Sequence, residues 1–361
     1  MQARTRRFRE LDGLRGVAAA LVVFSHYTGS HNASYPDDPP PLIDIWWGGT
    51  GVQLFFLISG FVILMSAEAS KRPSDFVVSR FSRLFPAYWL SLAFGVVLAI
   101  IFHVPHIPLE PEVIAANLSM VQRWFLIPNV MDVYWTLAVE MQFYVLMFVL
   151  MVFTMLVYTK SRITDRLMVV VAAIWLAVAL IVAIWAFPAS HGIDPQLVAT
   201  PVKIVLNVTL AAYGPLFCTG MLAYISRRRG RMHWLTIPAA VVAPITTGLL
   251  QNWETAAFIA VICAVFLIVT TRSTTPVLLL PPLQWLGKVS YSLYLTHSVI
   301  GLVIIHALWP YVGRQGAVVI AIAVALLVAW GLYEVAEKRI SPALRRWLSS
   351  LQRPLAKDAQ N

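Results

Sequence analysis

Charged residues are scarce in this chain. Asp, Glu, Lys and Arg make up 12% of its 361 residues, whereas soluble domains carry about a quarter. Hydrophobic residues make up 59%, and apolar runs recur to the end of the chain with no long polar block between them. This composition excludes an ordinary soluble domain and predicts an all-α integral membrane protein.

Cysteine is nearly absent, with only Cys218 and Cys263, each inside an apolar stretch. A disulfide framework and a thiolate metal site are therefore not expected. His and Glu residues also lack ligand spacing such as a His pair four residues apart, so we expect no metal. The net charge of +10 could suggest nucleic acid, but the cations fall in short clusters between apolar runs. We expect membrane lipid, and no nucleic acid, as the partner.

The apolar runs are long enough to predict a polytopic transmembrane bundle of about ten helices. We expect one membrane domain over residues 1–345 and a polar cytoplasmic tail over 346–361. The predicted spans have approximate limits of 11–28, 49–68, 76–102, 134–158, 167–187, 204–225, 234–250, 255–271, 286–309 and 316–336.

Lys and Arg collect in alternate connections between these spans. Cytoplasmic loops carry an excess of these residues, so the alternation predicts that both termini are cytoplasmic and that the first helix is retained. The longer loops on the opposite side, about 29–48 and 103–133, are expected to form a lid. The cationic clusters are Arg4 to Arg9, Lys71 to Arg83, Lys160 to Arg166, Arg227 to Arg231, Arg272 with Lys288, and Lys338 to Arg346.

Three ionisable residues inside the predicted spans stand out: His26, Glu140 and His297. An ionisable group at membrane depth is costly, which makes each one a functional candidate. Helical rise places Glu140 roughly 9 Å into its span and His297 about 13 Å into its own, so the three could share one cavity. Thr136 and Tyr144 are helical neighbours that could donate hydrogen bonds to Glu140. The alternative is that each group only bonds a neighbouring helix.

Arginines mark the opposite end of the predicted bundle. Arg80 and Arg83 lie three residues apart on one helical face, and paired guanidinium groups suit phosphate oxygens. The alternative is that they are ordinary topology anchors. Arg15 would lie roughly 16 Å from His26 along the first helix.

Five stretches together resemble the signatures of one family, the acyltransferase-3 family of integral membrane O-acyltransferases. The resemblance covers most of the chain. The stretches are LDGLRGVAAALVVFSHY at 11–27, GGTGVQLFFLISGFVI at 48–63, RFSRLFPAYW at 80–89, VYWTLAVEMQFY at 133–144 and LGKVSYSLYLTHSVI at 286–300.

The resemblance implies transfer of an acyl group, usually acetyl, from acyl-coenzyme A to a hydroxyl of a glycan, lipid-linked saccharide or glycoside. It also implies a place in the bacterial cytoplasmic membrane. The chain resembles stand-alone members without a fused SGNH domain. Acceptor binding would then fall to the bundle, to a separate extracytoplasmic transferase partner or to a homo-oligomer.

The resemblance also assigns residues to roles. It implies catalytic roles for His26, Glu140 and Arg15, and coenzyme A binding by Arg80, Arg83 and Arg15. The further positions expected to line the cavity or bind substrate are Asp12, His297, Tyr291, Tyr144 and Trp135.

Two mechanisms remain open for His26. It could act as the general base for the acceptor hydroxyl, oriented by Glu140, or it could carry the acyl group itself. Two other functional classes also remain open. Buried His and Glu would suit a proton-coupled transporter or flippase of lipid-linked glycans, and a non-catalytic membrane scaffold would use the Arg clusters only for topology.

Overall fold

The computed structural model describes residues 8–158, 164–190, 198–272 and 274–358. Within these ranges the chain is helical and holds no β-strand. Arg4, Arg6, Arg7, Lys160 and Arg162 of the predicted cationic clusters lie outside the described residues. The α-helices are α1 Glu10–Ser25, α2 His31–Ser34, α3 Gly51–Ala69, α4 Pro73–Phe102, α5 Pro111–Asn117, α6 Trp135–Tyr158, α7 Asp165–Ser190, α8 Thr200–Thr209, α9 Gly214–Arg229, α10 Thr236–Leu250, α11 Trp253–Thr271, α12 Pro281–Leu332 and α13 Ser341–Asp358.

Seven helical segments in the described part of the chain are long and apolar enough to cross a membrane. The all-α, multi-pass prediction is thus confirmed, while the count of about ten spans and the side of the termini stay predictions. Helix α1, with 16 residues, and helix α10, with 15 residues, are shorter than a typical span. The seven segments are Trp46–Ala69, Pro73–Phe102, Asp132–Val157, Asp165–Ser190, Thr200–Arg229, Trp253–Thr271 and Pro281–Gln352.

Two of the predicted spans run together in α12. The backbone of this element is non-helical only at Gly313, where φ is 71°. An L side chain rarely adopts that conformation, so a glycine is the residue suited to the junction. The chain continues through a π-helix at Tyr333–Ile340 into α13. The predicted polar tail therefore begins inside a helix that runs to Asp358.

The chain forms two compact units, and the first consists of Met1–Ser25, Trp47–Val62 and Asp165–Tyr291. Helices in this unit approach closely where glycine faces backbone. A Cβ at Gly287 would lie 1.9 Å from the carbonyl oxygen of Asp12. A Cβ at Gly60 would lie 2.3 Å from the carbonyl oxygen of Phe217. Small residues at such crossings let membrane helices pack through their backbones.

The second unit consists of His26–Trp46, Ile63–Thr164 and Ser292–Asn361. Its long loop at 103–133, one of the two expected lid segments, is anchored on the fully buried Asn117. The Asn117 amide donates to the carbonyl of Pro128 over 3.0 Å and accepts from the backbone N–H of Val130 over 3.1 Å. Tyr88 of α4 donates to the Asn117 carbonyl over 2.6 Å. The two side-chain bonds of Asn117 join parts of the loop to each other, and the Tyr88 bond holds the loop against α4.

Candidate functional site

The backbone changes its helical type at His26. Helix α1 ends at Ser25, and His26–Ser30 form a single π-helical turn before α2 begins at His31. Short π-helical turns are rare and are often found at functional sites. The change from α-helix to π-helix therefore begins at His26, the first of the candidate residues predicted from the sequence.

Asp132 lies beside the imidazole of His26. The His26 Nδ1 atom is 3.4 Å from Asp132 Oδ2, and the other carboxylate oxygen of Asp132 accepts a hydrogen bond of 2.6 Å from the Ser298 hydroxyl. The side chain of His26 is 22% exposed, so a substrate can reach it. With Nδ1 turned towards the carboxylate, Nε2 is the nitrogen left for a reacting proton.

His297 packs against the same ring. The centroids of the His26 and His297 rings are 4.9 Å apart, with the rings nearly perpendicular. The His297 Nδ1 atom lies 2.8 Å from the carbonyl of Tyr294 and 3.1 Å from that of Leu293. Because carbonyls only accept, Nδ1 carries the proton. The His297 Nε2 atom is buried and has no hydrogen-bond partner among the described residues. Tyr27 fixes this segment by donating to the His297 carbonyl over 2.9 Å.

A small cavity opens beside these groups. Its volume is about 30 Å³, which is the space that about one water molecule occupies. Seven of its eight lining residues carry a hydroxyl, an imidazole or a carboxylate. It is lined by His26, Tyr27, Ser30, His31, Ser34, Asp132, Ser298 and Leu302.

A second cluster joins α4 and α6 through Tyr144. The Tyr144 hydroxyl donates to Glu140 Oε1 over 2.8 Å, and the guanidinium carbon of Arg80 lies 5.9 Å from the centre of the Tyr144 ring. Arg80 Nη2 also donates to the Ser66 hydroxyl over 2.7 Å. Arg83, one helical turn from Arg80, is exposed. The structure thus brings Glu140 and Tyr144 together with Arg80.

A larger cavity lies beside this second cluster and shares Ser66 with it. Its volume is about 280 Å³, and its wall combines two cations, one carboxylate and four serines. Part of that wall comes from α13. It is lined by Ser66, Ala69, Ser70, Lys71, Asp75, Val78, Ser79, Arg345 and Ser349.

The remaining candidates have other surroundings. Asp12 and Arg15 form an ion pair of 3.5 Å on α1, within the first unit. Tyr291 is partly buried at the end of that unit's part of α12. Trp135 faces Arg123, whose guanidinium carbon lies 5.9 Å from the Trp135 ring. None of these four candidates lines either cavity.

Two expectations about hydrogen bonds differ from what the structure shows. Thr136, expected to donate to Glu140, instead donates to the Val133 carbonyl over 3.1 Å and shares a 2.7 Å hydrogen bond with the Tyr294 hydroxyl. The carboxylate beside His26 is Asp132, which sequence reasoning did not select. The available signal was its place immediately before the fourth predicted span.

Sequence reasoning also missed His31 and Asp38. His31 Nε2 lies 2.8 Å from Asp38 Oδ2, and both side chains are almost completely buried. The signal was the recurrence of histidine five residues after His26.

Comparison with known proteins identifies the family. The acyltransferase-3 sequence profile, described as an acyltransferase domain, matches residues 8–334. YrhL of Bacillus subtilis, provisionally named a peptidoglycan O-acetyltransferase, is 25% identical over 320 residues, covering 80% of this chain and 47% of YrhL. The peptidoglycan O-acetyltransferase OatA of Listeria monocytogenes is 29% identical over 155 residues, covering 38% of this chain and 23% of OatA.

A third relative has a name that refers to exopolysaccharide and not to peptidoglycan. The exopolysaccharide production protein ExoZ of Rhizobium meliloti is 34% identical over 104 residues, covering 27% of this chain and 32% of ExoZ. The chain thus spans less than half the length of each of these three relatives. No solved structure matches it. Because the family profile covers most of the chain, the protein belongs to the acyltransferase-3 family of membrane acyltransferases.

Proposed function

We propose that this protein transfers an acyl group, most often acetyl, from acyl-coenzyme A to a hydroxyl of a glycan, lipid-linked saccharide or glycoside. In this reaction the acceptor oxygen bonds to the acyl carbon, the carbon–sulfur bond of the thioester breaks, and the hydroxyl proton replaces the acyl group on sulfur. The reaction therefore needs groups that accept and return a proton beside the acyl carbon.

The observation that carries the proposal is the contact between His26 and Asp132. An imidazole oriented by a carboxylate, and still reachable by substrate, can exchange a proton near neutral pH. The 3.4 Å approach of Asp132 to Nδ1 leaves Nε2 for that exchange. In an acyltransferase family, such a pair supports proton transfer at the reacting centre.

The cluster around Arg80 supports donor binding at the other end of the second unit. The donor is polyanionic, and the guanidinium groups of Arg80 and Arg83 suit its phosphates. The cavity of about 280 Å³ beside Ser66 adds Lys71 and Arg345 to this charge. Along the helical segment Asp132–Val157, Glu140 and Tyr144 lie roughly 12 Å and 18 Å from Asp132. The flexible arm of the donor would bridge this distance between phosphates and thioester.

The relatives support a glycan as the acceptor, because two carry names that refer to peptidoglycan O-acetylation and one to exopolysaccharide production. We place the protein in the bacterial cytoplasmic membrane, with the donor arriving from the cytoplasm and the acceptor on the opposite side. Arg15, paired with Asp12, is part of this proposal through the family motif. A separate extracytoplasmic transferase or a second copy of the chain would complete acceptor binding.

Membranes that contain the protein and bacterial glycan provide the test. Acetyl-coenzyme A with a radiolabelled acetyl group is added, and label in the glycan fraction is measured. We expect transfer by the unchanged protein, and a loss of about 10²–10⁴-fold in His26→Gln. His103→Asn, which removes an exposed histidine with left-handed backbone, should keep full activity. Transfer by His26→Gln at the normal rate would overturn the proposed role of His26. If the protein instead moved glycan across the membrane at a rate independent of coenzyme A, it would be a transporter.

A further inference from the structure

The π-helical turn brings a second histidine to the cavity beside His26. His31 follows His26 by five residues, which is the i to i+5 spacing of π-helical hydrogen bonds. In a continuous α-helix, residues five apart would point about 140° away from each other. Instead, both histidines are among the residues that line the same cavity of about 30 Å³.

His31 is held by its own carboxylate. Its Nε2 atom lies 2.8 Å from Asp38 Oδ2, and the side chains of His31 and Asp38 are 1% and 3% exposed. Trp309 also donates to Asp38 over 2.9 Å. The indole N–H can only donate, so Asp38 accepts here, and because its pKa lies below the usual range this carboxylate is ionised. His31 Nε2 therefore carries the proton in this pair.

The second nitrogen of His31 is left to accept. The Nδ1 atom is buried and has no hydrogen-bond partner among the described residues. A buried polar atom without a partner is costly, and the wall of this cavity is where a ligand could satisfy it. His31 is thus paired with Asp38 as His26 is paired with Asp132, and both histidines help to line one small cavity.

Several ionisable groups surround His31 and set its charge. The loop contributes Asp38 and Tyr35, whose ring centroid is 5.3 Å from that of His31, and α12 contributes His306 and Arg314. Burial lowers the pKa of His31, and the positive charge of Arg314 lowers it further, against the raising effect of Asp38. His31 is therefore neutral at pH 7. His26 and Asp132 face it across the cavity.

We propose that His31 is a second catalytic imidazole, acting as the base that takes the proton of the acceptor hydroxyl. This inference rests on the proposed acyl transfer. That reaction has two proton transfers, one from the acceptor hydroxyl and one to the sulfur, and a different histidine carries out each of them. As the hydroxyl oxygen bonds to the acyl carbon, its proton passes to His31 Nδ1. As the carbon–sulfur bond breaks, His26, in its protonated form beside Asp132, gives a proton to the sulfur. The proton on His31 then returns to His26 through a water molecule in the cavity, so the cycle balances.

The size of the cavity supports this division of roles. A volume near that of one water molecule accommodates one hydroxyl group, in a space that both histidines help to line. Paired titratable groups in unlike environments commonly take separate acid and base roles. Here one histidine is buried and the other is 22% exposed beside an exposed carboxylate.

The test uses His31→Gln in the full chain. A glutamine amide can keep the hydrogen bond to Asp38 and present an oxygen to the cavity, but it cannot take the proton. Transfer of labelled acetyl from acetyl-coenzyme A to membrane glycan is followed as a function of pH. We expect kcat to fall about 10²–10⁴-fold, with the affinity for coenzyme A unchanged. The decline of kcat at low pH, which reports the base, should also disappear.

His103→Asn serves as the matched control and should retain both kcat and the pH profile. A His31→Gln variant that binds coenzyme A normally, works within twofold of the unchanged protein and keeps its pH profile would overturn the role of His31. A lowered kcat with an unchanged pH profile would overturn it too, because that result fits a structural role. Absence of acetyl transfer by the unchanged protein would instead contradict the proposed function itself.

Discussion

The Ser298 hydroxyl donates a 2.6 Å hydrogen bond to Asp132, a residue 166 positions away in the sequence. This bond fixes one carboxylate oxygen, while the other faces His26. A serine of α12 thereby sets the direction from which the carboxylate meets the imidazole. The position of this carboxylate is open to a direct test.

Asp132→Asn should lower kcat for acetyl transfer by about 10²-fold or more, because an amide cannot stabilise a protonated His26 and can hold the wrong tautomer. The affinity for acetyl-coenzyme A should stay unchanged. Initial rates with labelled acetyl-coenzyme A measure both quantities. Asp37→Asn, at an exposed position of the other loop, is the control. Equal rates for both variants would remove Asp132 from the mechanism.

Arg80→Gln should weaken coenzyme A binding. A charge-assisted hydrogen bond contributes about 1.5–3 kcal/mol, or roughly 10–100-fold in Kd. Calorimetry on protein in phosphatidylcholine nanodiscs measures the change, and Arg339→Gln, at an exposed position, provides the control. If the Kd of Arg80→Gln for coenzyme A equalled that of the unchanged protein, Arg80 would be an ordinary topology anchor and not part of the donor site.

Two adjacent arginines of α13 allow a matched comparison of the larger cavity. Arg345 lines it, whereas Arg346 does not. Because Arg345 is exposed, its replacement by Gln should raise the Kd for coenzyme A only about 2–5-fold, and Arg346→Gln should leave it unchanged. The titration uses nanodiscs of neutral lipid, so that a change in affinity reflects binding of coenzyme A and not binding of an anionic lipid headgroup. Equal affinities for the two variants would remove this cavity from the donor site.

Gly287→Ala should destabilise the first unit. Its new Cβ would lie 1.9 Å from the Asp12 carbonyl oxygen, and backbone cannot move aside as a flexible side chain can. Overpacking of this kind costs about 1–3 kcal/mol. Gly331→Ala, in the same helix with no atom within 4 Å of the new Cβ, is the control and should be neutral or slightly stabilising. Thermal unfolding in detergent compares them, and equal melting temperatures would argue against this helix crossing.

The stability of the second unit should decrease as pH falls from about 7.5 to 5.5. The pKa of His31 is lowered mainly by burial, so its unfolded form binds protons first and its stabilising contribution is lost below the unfolded value of about 6.5. Hydrogen bonds from His31 and His306 outweigh burial and keep the pKa of Asp38 below its usual range, so Asp38 stays ionised throughout.

Melting temperatures measured across this pH range provide the test. His31→Gln should flatten the dependence, because the variant lacks the titrating group. His103→Asn should retain it. An unchanged slope in His31→Gln would show that other groups cause the loss of stability.

Periodicity and hydropathy predict the features of this protein that are local in sequence. The contact between Tyr144 and Glu140 follows from their four-residue spacing on one helix. The apolar runs likewise predict helices that the structure contains. In both cases the residues concerned lie within one helix, so the regular geometry of that helix is sufficient to predict the feature.

The carboxylates beside the histidines could not be predicted in the same way. His26 and Asp132 are 106 positions apart, and no helical period relates them. His31 and Asp38 are close in sequence, but their contact depends on a π-helical turn followed by an irregular loop. His31 lies beyond the predicted limit of the first span, 11–28, so a search for ionisable residues inside the spans selects His26 and not His31.

The π-helical turn at His26–Ser30 also bears on how such a site could arise. A local widening of an α-helix accommodates an extra residue without disturbing the helix before it. A single inserted codon could therefore have carried a second imidazole to the cavity while α1 kept its register, and loss of that codon would remove it again. Natural variation in the length of this turn, rather than in residue identity, would then distinguish proteins with one imidazole from those with two.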